Sequence, residues 1–222
     1  MKCNCCKSLC IKNGFQSNGK QRYYCKSCNK HQQENYRYKA YLPKTNLLIY
    51  KLVINSSGMS DIARVLEISK NTVKSRLLKL SLVIRKPIIY ESLQVYEIDE
   101  MFTRINGKRK WVVYAINRKT RQIIDFAVGS RSNETILEVV NTVLLLNPKK
   151  IYTDRFSSYK SLIPKSIHRM VRFQTNLIER FNLNLRNHLK RLSRKTLCYT
   201  KNREILEATL KLYFWGNQLK FK

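Results

Sequence analysis

Acidic side chains are scarce in this chain, with 14 Asp and Glu against 44 Lys and Arg. The only aspartates are Asp61, Asp99, Asp125 and Asp154, so each position is informative. Asp61 falls in the first turn of a predicted helix, where a carboxylate suits the helix dipole. Asp99 closes the apolar stretch Val95-Tyr96-Glu97-Ile98, and Asp154 closes Ile151-Tyr152-Thr153. Glu179 belongs to a predicted C-terminal helix that can pack across the sheet edge where those two strands end. Three converging carboxylates repel one another unless cations sit among them. Two magnesium ions about 3.5–4 Å apart are the usual solution, with manganese as a substitute. One ion activates a water or a 3′-hydroxyl, and the other stabilises the oxygen that leaves in a phosphodiester substitution. The plain alternative is structural: Asp99 and Asp154 cap strand ends, and Glu179 pairs with Arg180 or Arg186.

A second group of residues points to a different metal. Six of the seven cysteines lie within the first 28 residues. Cys3-x2-Cys6 and Cys25-x2-Cys28 form two knuckles eighteen residues apart. Four thiolates so spaced complete the tetrahedral shell that structural zinc prefers. Cys5 or Cys10 could replace a member of the first knuckle, and His31 could stand in for Cys28. Without a secretory segment a disulfide framework is not expected. So short a segment would draw its folding free energy from the metal.

Positioning these groups takes three units. Residues 1–40 read as a zinc ribbon, with Gly14 and Gly19 in the reversal and Gln21 to Tyr24 as the strand leading to the second knuckle. Residues 41–84 read as a helix-turn-helix domain after a break at Pro43. An amphipathic helix runs from Lys44 to Ser56, then Ser60 and Ser69 cap two short helices joined by a tight turn. On the second of these, Lys70, Asn71, Lys74, Ser75 and Arg76 face away from the core, suited to phosphates and base edges. Residues 85–222, after a linker at Arg85-Lys86-Pro87, read as an α/β domain. Strands at 95–99, 111–117 and 122–128 precede a helix over 133–146, a strand at 150–153, a helix after Asp154 and a strand near 167–172. Long helices follow from about Gln174 to Leu192 and from about Asn202 to Trp215. A meander followed by alternating helix and strand is the order of an RNase H-like fold. At 100° per residue, Ile178, Phe181, Leu185, Leu189 and Leu192 form an apolar stripe roughly 80° wide. Glu179, Arg186 and Lys190 line up beside it, and Arg180, Arg191 and Arg194 add to a basic path for a bound strand.

The net charge is +30 and the sequence pI about 10.1, which only a polyanion makes useful. With 43% apolar residues the chain can build a core, so it is not a disordered basic tail. No apolar run approaches the roughly 18–20 residues of a membrane span, and the N-terminus has no signal-like apolar region. A multidomain cytoplasmic protein on double-stranded DNA, with no membrane partner, is the expectation.

The chain resembles transposases of the insertion sequence 1 family over nearly its whole length. Tyr152-Thr153-Asp154 and Thr175-Asn176-Leu177-Ile178-Glu179-Arg180-Phe181-Asn182-Leu183-Asn184-Leu185-Arg186 carry the resemblance most specifically. Lys190 to Thr196, Ile98-Asp99-Glu100, Asn117 to Thr120 and Gly129-Ser130-Arg131 also match. The interval of 24 residues between Asp154 and Glu179 is the short one expected of this family. The resemblance implies that Asp99, Asp154 and Glu179 are a metal-binding catalytic triad. It implies an enzyme that cuts at transposon ends and joins the freed 3′-hydroxyl to target DNA. The ribbon and helix-turn-helix would recognise terminal inverted repeats, and a bacterial, nucleoid-associated homodimer or larger assembly is expected, since two ends are processed together. A repressor that binds DNA without catalysis is the alternative. His168 matches a frequent histidine of the family but receives no role. Phe102 stands in place of Trp, Arg155-Phe156-Ser157 in place of a glycine-containing stretch, and Tyr199-Thr200-Lys201-Asn202 in place of a Phe-Ser-Lys-Ser-like run.

Overall fold

The computed structural model describes residues 1–33, 38–42, 44–170 and 176–221. The break expected at Pro43, the helix start at Gln174 and the strand end at Arg172 lie outside the described residues. The first unit is an antiparallel sheet in the order β1 (Ile11–Phe15), β2 (Gln21–Cys25) and β3 (Lys30–Gln33). Gly19 closes the first reversal at φ +75°, a left-handed conformation that a Cβ disfavours.

Three helices follow: α1 (Thr45–Ile54), α2 (Met59–Leu66) and α3 (Lys70–Leu82). Ser69 Oγ accepts from the Thr72 N–H at 3.0 Å, so α3 begins where the capping serine predicts. The start of α2 differs from expectation. Its cap is Gly58 and not Ser60, because Asp61 reaches back to accept from the Gly58 N–H at 3.1 Å. Glu67, at φ +50°, turns the chain from α2 into α3.

The remaining elements are β4 (Val95–Ile105), β5 (Lys108–Asn117), β6 (Ile123–Gly129), α4 (Asn133–Leu145), β7 (Lys150–Tyr152), α5 (Ser158–Leu162), β8 (His168–Arg169), α6 (Asn176–His188) and α7 (Arg203–Trp215). The five-stranded sheet has the order β6-β5-β4-β7-β8, an antiparallel meander with two parallel strands added at one side. That is the strand order expected of an RNase H-like sheet. β4 and β5 are longer than predicted because Asn106-Gly107, both at positive φ, make a two-residue hairpin turn that lets pairing run to Ile105 and Lys108. α6 is shorter than predicted. It stops at His188, and Lys190–Leu192 forms a separate 3-10 turn that buries Leu189, Arg191 and Leu192. Lys190 therefore does not continue the line of Glu179 and Arg186.

One face of the sheet carries α4 and α5, whose Ile136 and Tyr159 share a cluster with Ile98 and Val113 of the strands. The other carries α6 and α7 over Met101, Val112 and Tyr114. α7 is covered in turn by α1 and α3, so Ile49, Val53, Val73 and Leu77 belong to the same apolar cluster as the sheet. Gly129 ends β6 where a Cβ would lie 2.3 Å from Thr135 Oγ1, so only glycine lets α4 start so close to the sheet. No described helix is long and apolar enough to cross a membrane.

Leu77 is fully buried in the cluster that joins α3 to α7. Leu77→Ala should cost about 2–5 kcal/mol in urea unfolding. A loss below about 1 kcal/mol would show that the three helices contribute little to the shared core.

Candidate functional site

Among the N-terminal cysteines, four are gathered. One Sγ each from Cys3, Cys6, Cys25 and Cys28 lie within 4.8 Å of one another. Cys3 and Cys28 stand 3.5 Å apart, and Cys6 and Cys25 3.4 Å. Four sulfurs about 2.3 Å from a zinc ion would be spaced by about 3.8 Å, so the donor set fits zinc. The backbone N–H groups of Cys6 and Cys5 lower the Cys3 thiol, while burial and the neighbouring thiols raise Cys28, so without a metal the cluster shares its protons unevenly. The competing registers are not the ones formed. Cys5 accepts from Lys30, Cys10 accepts from Gln32, and His31 meets Asn13.

The acids are brought together by strand register. β4 and β7 pair in parallel as Val95 with Lys150, Tyr96 with Ile151 and Glu97 with Tyr152. Two residues beyond the last pair, Asp99 within β4 stands level with Asp154, just past the end of β7. Oxygens of Asp99, Glu100 and Asp154 lie within 4.8 Å of one another, a spacing that suits divalent cations. Burial pushes the Asp99 carboxyl up to about 7, opposed by the Glu100 N–H and by Asn182, while the Glu100 and Asp154 charges push it further up. Burial also raises Glu97 and Glu100.

Glu179 is not a member of that acidic group. It lies exposed in the first turn of α6, three residues before Asn182, whose Nδ2 donates to Asp99 Oδ2 at 2.6 Å. Next to it, the Ile178 N–H donates to Glu97 at 2.9 Å. α6 is thus tied to β4 at two acids, with Glu179 at the rim of the site.

Glu100, Glu97 and Asn182 were not singled out from the sequence. Strict strand alternation sends Glu100 to the face opposite Asp99. Only the turn of the chain at the end of β7 brings Asp154 within reach of both. Asn182 had a readable signal, since it falls between the apolar stripe of α6 and Glu179.

The flanking motifs hold these acids. Arg131 Nε donates to Glu100 at 3.0 Å and its guanidinium lies 3.8 Å over the Phe156 ring. Tyr159 donates to the other Glu100 oxygen at 3.0 Å. The Phe156 N–H donates to Asp154 at 2.9 Å, so the Arg155-Phe156-Ser157 departure still braces Asp154. Arg118 pairs with buried Glu97 at 2.9 Å and stacks over Tyr152. His168 is buried, meets Thr153 Oγ1 at 2.8 Å and is pushed below its ordinary pKa by burial, all of which befits a structural residue.

The basic candidates divide into groups. Lys70, Asn71, Lys74 and Ser75 are exposed along one side of α3. Arg76 is on another side, with its guanidinium 3.4 Å from Asn46 Oδ1 and from the Ala40 carbonyl. Arg180, Lys190 and Arg194 are exposed, and the Lys190 N–H donates to Ser56 at 2.6 Å. Arg186 has a buried Nε without a hydrogen-bond partner among the described residues and a guanidinium near enough to Asp99 to feel its charge. Arg191 is only 7% exposed.

Comparison with known proteins bears on residues 92–219, which match the family model described as IS1 transposase. Insertion element iso-IS1n protein InsB of Shigella dysenteriae is 34% identical over 118 residues, covering 52% of this chain and 90% of that protein. Insertion element IS1 4 protein InsB of Escherichia coli K12 is 31% identical over 122 residues, covering 53% of this chain and 71% of that protein. Among solved structures, the HTLV-2 integrase catalytic core domain in complex with magnesium is 16% identical at a TM-score of 0.36, covering 58% of this chain and 88% of that one. A simian T-cell lymphotropic virus intasome in complex with a PP2A regulatory subunit is 13% identical at a TM-score of 0.39, covering 73% of this chain and 66% of that one.

The purified chain should carry one zinc. Metal analysis should find it lost in Cys25→Ser and kept in Cys5→Ser and Cys10→Ser; zinc retained by Cys25→Ser would remove that ligand set. Asp99 supplies a second expectation. Its folded pKa of about 7 lies above the ordinary 3.8, so the metal-free chain loses stability as pH rises from about 4 to about 7. A divalent cation must displace that proton. Manganese affinity, measured by titration calorimetry, should rise by up to about tenfold per pH unit below pH 7 and level off above it. A flat profile would mean that Asp99 does not bind the ion.

Proposed function

The chain belongs to the IS1 transposase family, and on that footing we propose that it cuts the ends of its own insertion element and joins them to target DNA. The observation that carries the reading is the convergence of Asp99, inside β4, with Asp154, just after β7, at a point where α6 is tied to Asp99 by Asn182 and carries Glu179 in its first turn. Asp99, Asp154 and Glu179 are assigned as the acidic triad. Magnesium bound there would supply the positive charge that activates the attacking oxygen and stabilises the departing one. The chain's own residues do the rest. Asn182 fixes the Asp99 carboxylate through one oxygen, leaving the other directed by the Glu100 N–H. Glu100 has both oxygens engaged, by Arg131 and Tyr159, and its part is to brace the middle of β4 beside Asp154. Arg180, Arg186, Lys190 and Arg194 lie on or just beyond α6 and would neutralise the phosphates of the strand being cut.

Residues 1–40 and 41–84 are assigned to recognition of the terminal inverted repeats, and 85–222 to catalysis. The ribbon holds its shape through one structural zinc, and α3 offers Lys70, Asn71, Lys74 and Ser75 to a groove of double-stranded DNA. Two ends are processed together, so the working form is a homodimer or larger assembly on DNA. Its place is the bacterial cytoplasm, on the nucleoid.

The test uses DNA flanking the gene, incubated with the purified chain and magnesium, with every cut end mapped. Cuts at two inverted repeats are expected. Asp154→Asn and Glu179→Gln should each abolish cutting while leaving DNA affinity within about twofold. Cutting that survives Glu179→Gln but not Glu100→Gln would move the third acid to Glu100. Tight binding by the wild type with no cutting in magnesium or manganese would replace the enzyme with a repressor.

A further inference from the structure

Three helices begin at one cavity. The first residues of α2, from Gly58 to Asp61, the first two of α3, Lys70 and Asn71, and the α7 cap Asn202 all line a space of about 490 Å³. Each helix start leaves backbone N–H groups without helical partners and places the positive end of its dipole there. Caps satisfy only some of these groups, through Asp61, Ser69 and Asn202. Lys70, Lys74, Lys201 and Arg191 add four cations to the same lining. The one acid on it, Asp61, is already paired with Arg64 and the Gly58 N–H.

Arg191 is the second, independent sign of an anion. It is 7% exposed, and no carboxylate pairs with it among the described residues. Its one side-chain hydrogen bond among the described residues is a 3.4 Å contact to Thr209 Oγ1, and burial lowers its pKa. A guanidinium so enclosed is costly unless an anion meets it. The cavity also continues outward, because Asn71 and Lys74 line it and the outer face of α3 with Ser75, Leu78, Lys79 and Leu82. A backbone lying on that face leads into the cavity.

We propose that this cavity is a phosphodiester site, in which the DNA backbone is gripped from one side by the start of α3 and from the other by Arg191 and Lys201. The inference rests on the reading of α3 as a DNA-contacting helix and goes beyond it. α3 does not hold DNA alone, and the same phosphates tie it to the segment between α6 and α7. Bound DNA thereby clamps the recognition helices to the part of the chain that carries Glu179.

The test is fluorescence anisotropy of the zinc-loaded full chain on a labelled duplex from the flanking DNA, over a salt series. Lys201 is exposed, so Lys201→Gln leaves the packed core untouched and carries the test even if Arg191→Gln does not fold. Lys201→Gln should weaken binding about tenfold and reduce the log–log salt slope by about 0.9. Combined with Lys74→Gln, it should cost less than the product of the two single effects, because both act on the same phosphates. Wild-type affinity and slope in Lys201→Gln, beside a loss in Lys74→Gln, would overturn the cavity proposal and leave α3 as the DNA contact. No effect of either variant would overturn both. A thermal midpoint raised by inorganic phosphate over chloride at equal ionic strength, and not raised in Lys201→Gln, is expected as well. That rise with unchanged DNA affinity in Lys201→Gln would make the cavity a free-phosphate site and overturn the DNA proposal.

Discussion

The parallel pairing of β4 with β7 is the constraint on which the site depends. Only three residue pairs form it, Val95 to Glu97 with Lys150 to Tyr152. Because both strands run the same way, equal counts beyond the last pair reach equal heights. Asp99 and Asp154 are therefore neighbours although 54 residues separate them in sequence. A slip of one residue would turn one of the two acids to the opposite face of the sheet. The register is secured from both faces, by Tyr96, Ile98 and Ile151 under α4 and α5 and by Met101 under α6.

Setting acids together costs free energy even in a chain of net charge +30, because the cost is local. Burial raises Glu97, Asp99 and Glu100 alike. Each has a particular answer. Glu97 has Arg118 and the Ile178 N–H, Glu100 has Arg131 and Tyr159, and Asp99 has Asn182 and the Glu100 N–H. Of these three, Asp99 is the one without a cationic side chain within ion-pair distance among the described residues, and neighbouring Asp154 has none either. That leaves this pair of carboxylates most in need of a cation. The short motifs beside each strand, Asn117-Arg118 and Gly129-Ser130-Arg131, are thus parts of the electrostatic frame and not only turns.

α7 links the two ends of the molecule. One side packs on the sheet and the other receives α1 and α3, so a single apolar cluster runs from Ile49 to Met101. The basic helices are consequently oriented relative to the acidic edge by side-chain packing and not by a tether. Arg76 illustrates the effect. Its sequence position suggested a base contact, and its guanidinium instead faces Ala40 and Asn46 across the helix trio.

Local chemistry was legible in the residues themselves. Paired Cys-x2-Cys knuckles, a serine before a helix, alternation in the strands and two aspartates closing apolar runs each rest on neighbours a few positions apart. The four-cysteine set, the helix order and the strand sequence follow from such short-range rules. What required the tertiary structure is everything set by contacts between distant segments. Gly58 displaced Ser60 as a cap because Asp61 folds back to it, and α6 ended at His188 because Leu189 and Leu192 turn into the core. Glu100 joined Asp99 and Asp154 because strand alternation gives the direction of a side chain only within its own strand. The loop after β7 decides what it meets. Arg191 reads as one more basic residue in sequence; the fold alone encloses it, among three helix starts that no local pattern brings together.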